Sequence, residues 1–72
     1  MSGAEVRIFL VETLGASRFV VREEDKAVEM ETRELSRVSH ASVEEWNEFR
    51  NELRRTGWKI QSREHIPVVV GG

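Results

Sequence analysis

The chain contains no cysteine, so neither a disulfide nor a zinc ribbon can hold it together. Its two histidines, His40 and His65, are too few for a metal cage. Proline occurs once, at Pro67, and the side-chain amides are reduced to Asn47, Asn51 and Gln61. No apolar run approaches the ~20 residues of a membrane span, and Met1-Ser2-Gly3-Ala4 lacks the charged-then-apolar order of a signal peptide. These absences predict a soluble, cytoplasmic protein with no cofactor and no membrane association. A Glu- and Arg-rich, amide-poor composition fits a heat-adapted source, although a GC-rich genome gives the same bias.

What is present is a chain of 72 residues, enough for one domain and one modest core. Such a core rarely supplies more than ~3–5 kcal/mol, and without disulfides or metal the usual support is another copy, so self-association is expected. There are 13 acids against 11 bases, for a formal net charge of −2. That balance argues against a surface that tracks phosphate everywhere, but it leaves room for one basic face.

The strongest local signal is a helix over residues 42–56. Ser42 is followed by Glu45 at capping-box spacing, and Ala41 and Trp46 stand where a hydrophobic staple would. Val43, Trp46, Phe49 and Leu53 share one stripe. Glu44, Glu45 and Glu48 open the segment while Arg54 and Arg55 close it, as the macrodipole favours. Gly57 stops it, and Trp58 is placed to fold back on Leu53.

Strands are expected around this helix. In residues 5–12, EVRIFLVE, the unbroken run Ile8-Phe9-Leu10-Val11 predicts a central strand covered on both faces. Gly15 supplies a turn, and RFVVR at residues 18–22 predicts the second arm of an antiparallel hairpin. Val28, Met30 and Thr32 alternate with Glu29, Glu31 and Arg33, which favours a strand. A helix capped by Asp25, with Val28, Thr32, Leu35 and Val38 on one face, is its rival. WKIQ at residues 58–61 predicts a strand leaving the main helix, and Ile66 with Val68 to Val70 another, which Pro67 confines to an edge or to a short extended tail.

No catalytic constellation emerges. Ser39 and His40 adjoin in sequence but read as a turn before the helix, and Glu64 and His65 as a solvated loop. There is no phosphate-cradling glycine loop and no matched pair of carboxylates. The chain reads as a non-enzyme. A working surface is sought on the sheet instead: with Phe19 and Val21 facing the helix, the opposite face gathers Arg7, Phe9, Arg18, Val20, Arg22 and Arg33. Arginines around an exposed ring suit single-stranded nucleic acid, phosphate meeting guanidinium and base meeting ring. The same face, with Glu29 and Glu31 paired to the arginines, is equally a plain salt-bridged exterior, or a dimer interface centred on Phe9, Val11 and Val20.

Two resemblances bear on this choice. RFVVREEDKAVEMETREL followed by VSHASVEEWNEFRNEL resembles the positive-cofactor-four family of transcriptional coactivators, which implies a homodimer binding single-stranded DNA. VRIFLVETLGASRFVVRE together with the final Val70-Gly71-Gly72 resembles the ubiquitin-like sulfur carriers. That likeness implies a tail, Gly71 and Gly72, whose carboxylate is activated. The expectation is therefore a single α+β domain over residues 1–72, a mostly antiparallel sheet of three to five strands with one helix packed on one face. Its expected role is non-catalytic: a small nucleic-acid-associated or regulatory protein. The alternatives are a sulfur carrier or modifier, and an adaptor or viral or mobile-element inhibitor directed at a protein partner.

Overall fold

The computed structural model describes residues 1–66. The expected edge strand at Val68 to Val70 and the Gly71-Gly72 tail lie outside the described residues. The chain runs through α1 (Gly3–Ile8), a π-helical segment (Phe9–Thr13), β1 (Phe19–Arg22), β2 (Ala27–Glu31), α2 (Thr32–Ala41), α3 (Val43–Arg55) and β3 (Lys59–Arg63). It is a small α+β domain. β1 and β2 form an antiparallel hairpin, and β3 joins β2 in parallel after the crossover through α2 and α3, giving the order β1-β2-β3.

The largest departure from the sequence reading is at the start. Residues 3–13 are helical, not a strand, and the reason lies in their first turn. The Ser2 hydroxyl accepts the Glu5 amide at 3.2 Å, and the Glu5 carboxylate accepts the Ser2 amide at 3.1 Å, completing a capping box. Val6, Leu10 and Leu14 then recur every four residues and are buried together. The apolar run Ile8 to Val11 is not sandwiched between two layers but wrapped around a helix: Leu10 is fully buried, whereas Ile8 and Val11 are 55% and 51% exposed. At Phe9 the turn widens, with Leu14 donating its amide to the Phe9 carbonyl at 3.1 Å. Gly15, at φ +60°, then releases the chain toward β1.

The expected strand forms over Val28 and Met30 but stops at Glu31, and the rival helix begins only at Thr32, without the Asp25 cap and without Val28. Val28 and Met30 are fully buried in β2, and at Glu31 the chain enters α2, which buries Val38 and half-buries Leu35. α3 forms where expected, but Ser42 makes no side-chain cap bond. It closes α2 and opens α3 at once, with φ −136° and ψ 65° turning that corner. The other end follows the expected Schellman pattern. Trp58 donates its amide to the Leu53 carbonyl at 2.8 Å, Gly57 donates to Arg54 at 3.3 Å, and Gly57 sits at φ +82°.

All three helices pack on one face of the sheet. Val6, Leu10, Leu14, Val38, Trp46, Phe49, Leu53 and Trp58 form one cluster with Val28 and Met30, against which Phe19, Val21 and Ile60 pack from the same side. Complete burial of a Leu or Phe there stabilises the fold by roughly 1.5–3 kcal/mol each.

Candidate functional site

The face expected to gather arginines around a ring does not assemble. Arg7 lies exposed on α1, and Phe9 is packed inward, its ring stacked on Phe49 at 5.0 Å between centroids and 13° between planes. Phe49 in turn meets Trp46 at 6.0 Å. Arg18 sits before β1 at φ +55°, and Arg33 lies exposed in the first turn of α2. Val20 and Arg22 do face away from the helices, as expected from Phe19 and Val21 facing them. A dimer interface centred on Phe9, Val11 and Val20 is likewise divided between the core edge, the solvent side of the π-helical segment and the outer sheet face.

That outer face is a salt-bridged exterior. Val20 and Arg22 from β1, Ala27, Glu29 and Glu31 from β2, and Lys59, Gln61 and Arg63 from β3 share it by alternation. At its centre Glu29, only 8% exposed, takes Arg22 Nε at 3.2 Å and Arg63 Nη1 at 3.4 Å. A carboxylate so placed neutralises the arginines that a phosphate would need.

A second acid is enclosed on the helical side. Glu34 of α2, also 8% exposed, accepts from Arg37 Nε at 2.7 Å, from the Ser17 hydroxyl at 2.9 Å and from the Ser17 amide. Arg37 Nη2 reaches both Glu34 Oε2 and the Gly15 carbonyl at 2.9 Å. The Arg37 guanidinium, followed by the Ser17 donors, overcomes the burial that opposes ionisation and pulls the Glu34 carboxyl down to about 2. This network pins the loop between the π-helical segment and β1 onto α2. Its role is structural.

The sequence pair Ser39-His40 falls in the last turn of α2, where Ser39 Oγ donates to the Ser36 carbonyl at 3.1 Å and His40 Nδ1 lies 2.6 Å from the same oxygen. Ser39 Oγ and His40 Nδ1 also lie 3.5 Å apart, at the outer limit of a hydrogen bond, and both converge on the Ser36 carbonyl. Among the described residues, no three acids or histidines converge as a metal set, and no helix is long and apolar enough to cross a membrane.

What the sequence reading missed is the flank where α3 meets β3. An open groove of about 220 Å³ is lined by Arg50, Leu53, Arg54, Trp58, Lys59 and Ile60. Arg50 and Arg54 stand one turn apart on α3, and Lys59 opens β3. Unlike Arg22, Arg37, Arg55 and Arg63, these three cations have no carboxylate within ion-pair distance among the described residues. Trp58 forms part of the floor, 6% exposed, with its indole N–H donated to the Met1 carbonyl at 2.9 Å. Its ring is buried in that floor and leaves little face open for stacking. A pointer was available in the sequence: the i, i+4 pair Arg50 and Arg54 is self-repelling on a helix and has no acid one turn away on its own side.

Beside the groove runs the outer edge of the sheet formed by the described residues. Among the described residues β3 borders only β2, and four of its five residues are exposed. Lys59 donates its amide to the Lys26 carbonyl at 3.0 Å, so Lys59, Gln61 and Arg63 turn their main-chain groups toward β2. The N–H and C=O groups of Ile60 and Ser62 therefore point off the sheet. No family model matches the chain, and neither a curated protein nor a solved structure does so.

Proposed function

We propose that this domain is a non-catalytic binding module that takes up an extended segment of a partner protein along the free edge of β3. The observation that carries this reading is the strand itself: among the described residues it pairs with β2 alone, four of its five residues are exposed, and its outward groups at Ile60 and Ser62 form a template for strand addition. Natural edges are commonly shortened, bulged or covered, and among the described residues β3 is paired on one side only, beside a groove the helices leave open.

The test exploits the alternation along β3. Ser62→Pro removes a donor that points off the sheet and leaves the bonds to β2 intact. A library of displayed ten-residue peptides is panned against the full chain and against this variant, with folding of each checked by circular dichroism. The expected result is a set of extended peptides retained by the native chain and lost on Ser62→Pro. Equal retention by both would overturn the reading.

A second reading, association with single-stranded nucleic acid, draws support from the unpaired Arg50, Arg54 and Lys59. It predicts oligonucleotide binding that falls steeply with salt and is lost in Arg50→Ala/Arg54→Ala. Absence of binding at low salt would remove it. The sulfur-carrier reading turns on Gly71 and Gly72, outside the described residues, and predicts a thiocarboxylate or a conjugate at Gly72 in its host.

A further inference from the structure

Resting on the strand-addition reading, we infer that the α3–β3 groove is a carboxylate subsite and that the segment added to β3 is acidic. The geometry sets which partner side chain would enter it. A residue of the added strand opposite Ile60 projects its side chain to the same face as Ile60, because facing residues in a ladder share a face. On that side lies the groove, walled by Arg50 and Arg54 and floored by Leu53 and Trp58. A Glu at this position lays its methylenes over the apolar floor and its carboxylate between the two guanidinium groups. Arginine is suited to that contact, since its planar fork takes both carboxylate oxygens.

Charge also selects against the other candidate occupant, a second copy of this chain. In the antiparallel register that overlaps β3 fully with its copy, Ile60 faces Ser62 of the other chain and Lys59 faces Arg63. That register opposes like charges twice about the two-fold axis, and it brings two sets of unpaired arginines together. An acidic segment meets the reverse situation on both faces. Opposite Lys59 and Arg63 it finds cations on the outer face, where Glu29 is the sole carboxylate within ion-pair distance of Arg63 among the described residues. On the groove face it finds Arg50 and Arg54.

The inference is tested on the full chain with three synthetic nine-residue peptides that alternate Thr with Glu, Gln or Lys. Binding is followed at low salt by amide chemical shifts, which report Ile60 and Ser62 directly. The Glu peptide is expected to bind at least ten-fold more tightly than the Gln peptide, with the Lys peptide weakest. Arg50→Ala/Arg54→Ala should bring the Glu peptide down to the Gln level, while Ser62→Pro should abolish binding of both. Equal affinity for Glu and Gln peptides, with loss on Ser62→Pro, would overturn the acidic subsite and leave strand addition standing. No binding of any peptide would overturn strand addition, and the subsite with it. Binding of a thymidine oligonucleotide that needs Arg50 and Arg54 but tolerates Ser62→Pro would reassign the groove to phosphate.

Discussion

Two flanks of this domain treat arginine in opposite ways. On the flank where α2 meets the loop before β1, Arg37 is fully engaged: it holds Glu34 through two bonds and the Gly15 carbonyl through a third. On the flank where α3 meets β3, Arg50 and Arg54 border an open groove with no carboxylate partner. The first flank is closed by a satisfied polar network over the core, and the second ends, among the described residues, in a strand paired on one side. A side chain already bound to its own protein stabilises the fold, while one left unpaired is available to another molecule.

The contrast can be broken most forcefully on the closed flank. Leu10→Ala should cost roughly 3 kcal/mol, the usual penalty for emptying a fully buried leucine site, because its side chain is wholly enclosed. Ile8→Ala, two residues away and more than half exposed, should change stability by less than about 0.5 kcal/mol. Urea unfolding of both variants measures the difference. On a strand the two side chains would share a face and the losses would be similar, so the pair also tests the helical assignment.

Next in size is the network at Glu34. Its carboxyl is held at about 2 in the folded protein, below the ordinary value of 4.5. A depressed carboxyl stabilises the folded state above its unfolded pKa, and that contribution disappears as pH falls through the folded value. Glu34→Gln should therefore cost roughly 2 kcal/mol at pH 7, allowing for the half-exposed Arg37 partner. The gap should close between about pH 4.5 and pH 2. Urea midpoints of both proteins at pH 7, 4 and 2 give the comparison, and a constant gap would mean that the network contributes through packing alone.

On the open flank the expected stability effects are smaller. Gly57→Ala should cost about 1 kcal/mol, since φ +82° penalises any Cβ, yet no atom lies within 4 Å of where that Cβ would be. Steric room makes this a backbone effect, and Gly57→Asn should recover part of it. Smallest of all, Arg54→Ala should shift the thermal midpoint slightly upward or leave it unchanged, because it relieves repulsion from Arg50 and breaks no ion pair. A large loss of stability in that variant would mean that Arg54 belongs with the closed flank.

How much of this could be read from the residues differs between two copies of one signal. The Ser-x-x-Glu spacing occurs at Ser2–Glu5 and at Ser42–Glu45. At Ser2 both reciprocal bonds form, with Ser2 in extended φ and ψ of −84° and 167°. At Ser42 neither forms, because the residue must also terminate α2. α3 nonetheless runs almost where its stripe, charges and Gly57 stop placed it. Propagation depends on many residues, and a cap on one. The site was less legible. Phe9 and Arg22 carry the right chemistry for a surface, but one stacks on Phe49 and the other is paired with Glu29. Composition alone does not encode which arginines find a partner.

The sequence by itself determined the pieces whose signals are local and mutually consistent. These are α3 with its Schellman end, the alternating β2, the short apolar β1 and the absence of cysteine chemistry. Tertiary structure decided three further things. Ile8 to Val11 became the turn of a helix, since an unbroken apolar run fits a buried strand or a helix equally well until its neighbours fix what it packs against. β3 joined β2 in parallel, because pairing partners distant in sequence are chosen by how the intervening helices cover the sheet. Arg50 and Arg54 were brought beside Trp58 and Ile60 around one groove, a convergence across the Gly57 turn that no spacing along the chain prescribes.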